Sequence, residues 1–551
     1  MGAQKNRLLT AWLALAAFAT LAIACGSGSE QRSSSEPASS RPPARARQAA
    51  DEGPPQDGGI LRFGIDADSD GYNPVANNFA LAGNLVASAI FEPLVVVNAD
   101  RRLDPYLAES VTPNHEGTVW TIKARPGIKF HDGEPFNADA IKINIEQRVK
   151  SALSAVALEP VERVEKVDDM TVAVHMKRPW FGYDYTLAAQ GGYMTSPKAL
   201  LTPEGTLNPD FSKKPVGTGP FRFESWQPGN TVTVRKFDGY WQTGKPHLDG
   251  IDFVILPDSQ SRARALEAGD VDAMVTEYPS DVKRFRDNPS YTQIEDVAGD
   301  EMVIMLNEGR PPFDNLNARL ALAYATDKRA VIDGAFEGLP APADQPFTES
   351  ERWFVSDPGA LPHDPQKAAE ALERYKQETG EPTLRFELQG RPDQAAMMSI
   401  LEQQWRELGI EVQITTLEQA RYITNVVFGR YQAGIFRNFG YVHPDSNYIF
   451  WHSSTAKGVE NLSINFTQTR VPELDAALDA ARSSNDDALR KEQYAIVVRE
   501  LNRTVPYIFL MHNVWAIVAK GEVHGLAAIQ EVGFGRPDAK TWWNDLWLAP
   551  Q

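Results

Sequence analysis

Cysteine is nearly absent: Cys25 is the only one in 551 residues. No disulfide can form within the chain, and no Cys-based zinc or iron–sulfur site can be built. Positive charge is also scarce. Lys and Arg number 55 against 73 Asp and Glu, a net charge of −18. A nucleic-acid partner needs a basic face, so that class is set aside. After residue 24 no run of 18 or more apolar residues occurs, so the sequence predicts no second membrane-spanning helix. A Gly-x-Ser-x-Gly elbow and a His-Glu-x-x-His pair are both missing. Internal repeats of 20–50 residues are not visible, which excludes solenoids and propellers.

What is present begins at the N-terminus. Lys5 and Arg7 precede an apolar run from Leu8 to Ala24, broken only by Thr10 and Thr20. A basic start followed by such a run is the pattern of a secretory signal. It ends in Leu-Ala-Ile-Ala-Cys, which resembles a bacterial lipobox and makes Cys25 the expected lipidation site. Residues 26–56 are rich in Ser, Pro, Ala, Arg and Gly and read as a disordered tether. Residues 1–50 carry a net +4, which leaves −22 for the rest. A basic tether beside an acidic body suits an anionic membrane surface.

The body reads as mixed α/β. Alternating runs at 60–66, 118–124, 170–176, 231–237 and 251–257 predict strands. Between them lie helical patterns. Ile141, Ile145 and Val149 form one stripe behind Asn137, a suitable N-cap. Leu401, Trp405 and Leu408 form another stripe over 398–408, with Gly409 placed to stop the helix. Gly217-Thr218-Gly219-Pro220 lacks the later Lys and Ser/Thr of a phosphate loop and reads as a tight structural turn.

Four stretches taken together resemble one family. They are EGTVWTIKARPGIKFHDGEPFNADAI (116–141), PVGTGPFRFESWQPGNTVTVRKFDGYW continuing to residue 273 (from 215), NARLALAYATDKRAVIDGAFEGLPAPADQPF (317–347) and LEQQWRELGIEVQI leading to FRNFGYVHPDSNYIF (401–450). In order and spacing they resemble the extracytoplasmic solute-binding proteins of ABC importers, in the class of dipeptide, oligopeptide and nickel binders. The resemblance implies a two-lobed periplasmic-binding-protein-like α/β fold with an extra inserted subdomain. One lobe would comprise 57–97, 201–300 and 515–551, the insert 98–200, and the second lobe 301–514. It further implies a non-enzymatic, monomeric receptor without cofactor. Such a receptor captures a peptide-like or other small polar solute by hinge closure and delivers it to permease subunits, outside the cytoplasm on a lipid anchor.

The same resemblance singles out residues 437–444. Peptide-binding members carry a Trp-x-x-Asp-Tyr-x-x-Pro-like stretch whose aspartate pairs with the ligand's ammonium. Here the stretch is Arg437-Asn438-Phe439-Gly440-Tyr441-Val442-His443-Pro444. Gly440 stands at the aspartate position and Arg437 at the tryptophan position; Asp445 is the nearest alternative carboxylate. Two readings of Arg437 stay open: it selects an anionic or neutral polar group of the ligand, or it pairs with an acid of its own chain. Asn438, Phe439, Tyr441, His443 and Asp445 join it as candidate ligand residues. Further candidates are Asn73 and Asn78 after the first strand, Tyr193 and Met194 in a Gln-Gly-Gly-Tyr-Met loop, Asn307, Trp451 and His452. A nickel-complex or oligosaccharide receptor is the alternative within the class, and an exported lipoprotein hydrolase the alternative outside it. His131, His443 and His452 do not share a helical metal spacing, so no metal ligands are assigned.

Overall fold

A computed structural model describes residues 53–550 apart from 78, 99–100, 153, 189, 297–299, 439–442 and 527–541. Cys25 and residues 26–52 of the expected tether lie outside the described residues.

Three sheets of four or more strands organise the described residues, beside two two-stranded ones. The largest has seven strands in the order Tyr291–Asp296, Trp515–Lys520, Ala273–Thr276, Ile60–Ile65, Gly250–Ile255, Thr231–Lys236, Phe221–Gln227. Its central strand runs parallel to both neighbours, pairing Phe63 with Phe253 on one side and with Ala273 on the other. Leu61, Phe63 and Ile65, alternate residues on one face of this strand, are fully buried there. The second sheet has six strands in the order Ala341–Pro342, Tyr507–His512, Glu301–Leu306, Ala433–Asn438, Arg385–Gly390, Glu411–Thr416. Strand Arg385–Gly390 is parallel to both of its neighbours. Helix Ala395–Arg406 packs its Met398, Leu401 and Trp405 into this lobe's core. The helix ends two residues before the predicted limit, and Gly409 turns the chain at φ +77°.

The third sheet is antiparallel, Ala108–Pro113, Val119–Ala124, Thr171–Met176, Val161–Lys166. Trp120, Ile122 and Ala124 face inward and alternate with more exposed residues. Helix Ala138–Lys150 covers that face with Ile141 and Ile145, and Asn137 caps it by accepting from the Ala140 amide. This sheet belongs to a small subdomain with its own core, held on the large-sheet lobe by the Gly217–Gly219 turn. His131 fixes the turn, its Nε2 2.9 Å from the Gly219 carbonyl oxygen. A Cβ at Gly217 would collide with the carbonyl oxygen of Ile90, so close approach of backbones is the reason for glycine.

The chain crosses between the two large sheets twice, between Asp296 and Glu301 and between His512 and Trp515. The two crossings are tied together. Asn513 donates its amide to the Asp300 carbonyl at 2.9 Å and its Nδ2 to Asp300 Oδ1 at 3.2 Å, and Trp515 Nε1 donates to the same oxygen at 3.0 Å. Two lobes joined by two adjacent short segments form a hinge.

Candidate functional site

In open parallel sheets, ligands bind beyond the carboxyl ends of the strands, where loops leave a crevice. Here the carboxyl ends of both sheets face one another. Asp66 follows Ile60–Ile65, Glu277 follows Ala273–Thr276, Arg391 follows Arg385–Gly390, and Arg437 is the penultimate residue of Ala433–Asn438. The cleft between the lobes is therefore lined by charged groups that strand geometry places there.

Arg437 spans this cleft. Its Nη2 lies 2.5 Å from Glu277 Oε2 on the other lobe, and its Nε lies 3.0 Å from Asp300 Oδ2 at the hinge. Its guanidinium carbon sits 5.3 Å from the centre of the Trp515 ring. The two carboxylates raise its pKa further against the cost of burial. Of the two sequence readings, pairing with acids of the chain itself is the arrangement seen. Burial pushes the Glu277 carboxyl upward; Arg437 opposes this, while Asp300 and Asp66 reinforce it.

Asp445 lies elsewhere, 3% exposed, against Arg482 at 5%. Arg482 Nε donates to Oδ1 at 2.7 Å and Trp180 Nε1 donates to Oδ2 at 2.6 Å. Burial alone would raise the carboxyl pKa; the Arg482 charge and hydrogen bonds outweigh it and hold the group below the usual carboxylate range. Arg482 is stacked between Tyr448, 3.5 Å from that ring's centre, and Trp180 at 4.9 Å. Trp180 belongs to the small subdomain and Asp445 to the second lobe, so the pair welds two regions together. His443 sits beside it under the rings of Tyr185, Trp353 and Tyr494. Burial pushes its pKa down to about 3.

Of the other sequence candidates, Asn438 alone among the described residues stands beside a cleft charge. Asn73 is buried in its own turn, accepting from Val75 N at 3.0 Å. Tyr193 is buried in the first lobe's core against Phe91, and Met194 in the small subdomain. Asn307 donates to the carbonyls of Gly429 and Tyr431, 3.1 and 2.8 Å away. Trp451 is a core residue of the second lobe. His452 stacks on Tyr448, ring centres 4.5 Å apart. Asn438 is 9% exposed at the end of its strand, next to Arg437. Phe439, Tyr441 and Asn78 lie outside the described residues. Among the described residues no group of three or more His, Cys, Asp or Glu is arranged to hold a metal ion.

Sequence reasoning missed Asp66, Glu277, Asp300 and Trp515. The available signal was position, since Asp66 and Glu277 are the first charged residues after two buried strands that run parallel to each other in a mixed sheet.

The model of the bacterial extracellular solute-binding proteins, family 5 middle region, matches residues 102–460. The glutathione-binding protein GsiB of Pectobacterium atrosepticum is 30% identical over 444 residues, covering 77% of this chain and 83% of its own length. GsiB of Salmonella typhi is 27% identical over 470 residues, 82% of this chain and 89% of its own. Among solved structures, DppA of Helicobacter pylori in complex with a peptide superposes with a TM-score of 0.79 at 20% identity, covering 90% of this chain and 99% of its own. AgaA of A. tumefaciens R10, bound to agropinic acid, gives 0.78 at 23% identity, with the same coverage. These structural likenesses concern the two-lobed fold.

Proposed function

Because the chain belongs to the family 5 bacterial extracellular solute-binding proteins, we propose that it captures a small peptide-like solute between its two lobes and hands it to an ABC permease. The observation that carries this reading is the cleft. The carboxyl ends of both sheets meet there, a paired hinge joins the lobes, and Arg437 already reaches across to Glu277. A hinge gives such a receptor two states, and a solute touching both lobes favours the closed one. No nucleophile is required for that work. Glutathione, which the GsiB relatives are named for binding, and short peptides, seen in the DppA complex, are the solutes to test first.

The same reading divides the chain into a first lobe (57–97, 201–300, 515–551), an inserted subdomain (98–200) and a second lobe (301–514). It also attaches the protein to the outer face of the membrane through Cys25. Cys25→Ser should move the protein from the membrane to the soluble fraction.

A thermal-shift screen tests the receptor reading. Di- to hexapeptides, glutathione, disaccharides and nickel–histidine complexes would each be offered to the purified protein. A true ligand at a hundred times its Kd adds about 2.7 kcal/mol, which for a chain this size is a readable shift. A flat response to peptides and glutathione alongside a clear shift with a nickel complex or a sugar would replace the peptide-like solute with that one.

A further inference from the structure

One hairpin of the small subdomain ends on the second lobe. Its strands, Val95–Val97 and Leu103–Pro105, pair antiparallel, and the three valines are buried in the subdomain core. The turn is tied as well. The Asn98 amide donates to the Arg102 carbonyl at 2.8 Å, and Asn98 Nδ2 donates to Asp104 Oδ1 at 3.0 Å. At the tip, Arg101 has φ +58°, a left-handed conformation that suits glycine and is uncommon for arginine. Its side chain leaves the turn for the second lobe, where Nη1 donates to Glu351 Oε1 at 3.2 Å. Arg101 is 19% exposed there and Glu351 only 4%. Glu351 is held in place for the contact. The Thr348 amide donates to its Oε2 at 2.7 Å, and Trp353, two residues on, is in the second lobe's core.

The subdomain is fixed to the first lobe. Tyr106, just past the hairpin, meets Tyr240 of that lobe, hydroxyls 3.3 Å apart, and Tyr240 donates to the buried Glu92 at 2.6 Å. Arg101 and Glu351 therefore belong to bodies that hinge motion separates. Asp445 and Arg482 differ in this respect, since both lie in the second lobe and stay paired however the lobes move. A left-handed arginine and a buried carboxylate each carry a cost. A surface turn by itself requires neither.

We propose that this hairpin is a strap that holds the lobes together in the solute-free protein, with Arg101 as the hook and Glu351 as the catch. The proposal rests on the receptor reading above and deepens it by giving the inserted subdomain a part in closure. Arg437 and Glu277 brace the lobes beside the hinge; the strap braces them at the subdomain. Opening divides the pair and returns both charges to water. The regained hydration offsets much of the lost attraction, so the strap can release. A solute that touches both lobes then adds to a closure the chain already favours.

X-ray scattering on the solute-free protein tests the strap, using Arg101→Gly, Glu351→Gln and the double variant. Glycine suits the left-handed turn, so Arg101→Gly removes the hook while relieving the backbone. Each single variant should enlarge the radius of gyration by about 1 Å or more, against roughly 24 Å for a compact chain of this length. The double variant should match the larger single change, because the two residues act through one contact. An Arg101→Gly curve that superposes on the wild type overturns the strap. A double variant that expands beyond both singles also sinks it, since the residues then act apart. So does a wild-type protein whose scattering is already more extended than this structure. If Glu351→Gln does not fold, Arg101→Gly decides alone. No solute enters the measurement, so a blank solute screen counts against the receptor reading and leaves the strap to be judged by scattering.

Discussion

Two arginine–carboxylate pairs in this protein use the same chemistry in opposite settings. Asp445 and Arg482 are sealed, 3% and 5% exposed, with Trp180 donating to the carboxylate and Tyr448 under the guanidinium. Glu277 and Arg437 are about a quarter exposed, at 27% and 24%, and lie on opposite lobes at the mouth of a hinge. The first pair has every partner it needs and no access, so its work is structural. The second keeps access to solvent and bridges two lobes rather than sealing one interface. Chemistry of residue type does not separate the two; the surroundings do.

Breaking the sealed pair should have the largest effect. Asp445→Ala strands the Arg482 charge in a dry interface, and we expect a loss of about 3–5 kcal/mol in urea unfolding. A loss below about 1 kcal/mol would show that water reaches the site and that the contrast between the pairs is false.

Acid should next expose the sealed region. Folded His443 stays neutral down to about pH 3, held so by burial, whereas an unfolded imidazole takes a proton near pH 6.5. The unfolded state therefore binds the extra proton, and stability falls as pH drops through 6.5 toward 3. Asp445 acts in the same direction at lower pH, since its depressed pKa gives stability that is lost as the carboxylate protonates. His443→Gln should flatten the dependence of Tm on pH between 6.5 and 4. An unchanged slope would remove His443 from the account. Glu92 acts in the opposite direction. Burial raises its carboxyl to about 7, so it favours the folded state at acid pH and that advantage is lost as pH climbs from the ordinary carboxylate range through 7.

A smaller perturbation tests packing around the sealed pair. A Cβ on Gly182 would stand 3.0 Å from the Asp445 side chain. Gly182→Ala should cost about 1–3 kcal/mol through overpacking, seen as a lowered denaturation midpoint. The cleft pair should respond least in stability and most in conformation. Arg437→Met is expected to change unfolding free energy by about 1 kcal/mol or less. It should nonetheless enlarge the radius of gyration of the ligand-free protein in X-ray scattering, by releasing the lobes. In wild-type protein, raising salt should shift the radius the same way, because part-exposed charges are screened. If Arg437→Met unfolds the protein as readily as Asp445→Ala, the two pairs are alike and the cleft pair is structural too.

Much of the fold was legible before any coordinates. The runs at 60–66 and 118–124 became strands because alternation and β-branched content mark a pleated, half-buried surface. Asn137 and Gly409 bounded helices because capping and left-handed turns are local chemistry. The binding residues were less legible. Tyr193, Asn307 and Trp451 carry suitable groups, but burial spends those groups on their own lobes. Asp445 and Arg437 have equal claims as sequence and diverge only through Trp180, 265 residues distant from one, and Glu277, 160 residues distant from the other.

What the sequence alone determined here is local or compositional: the acidic body, the leader ending at Cys25, the strands, the helix ends and the order of family stretches. Each depends on residues within a few turns of one another, or on simple counts. Which arginine–carboxylate pair is sealed and which keeps access to solvent was decided only by the tertiary structure. An ion pair or a shielded oxygen depends on what long-range packing brings within 3 Å, and no local pattern contains that distance.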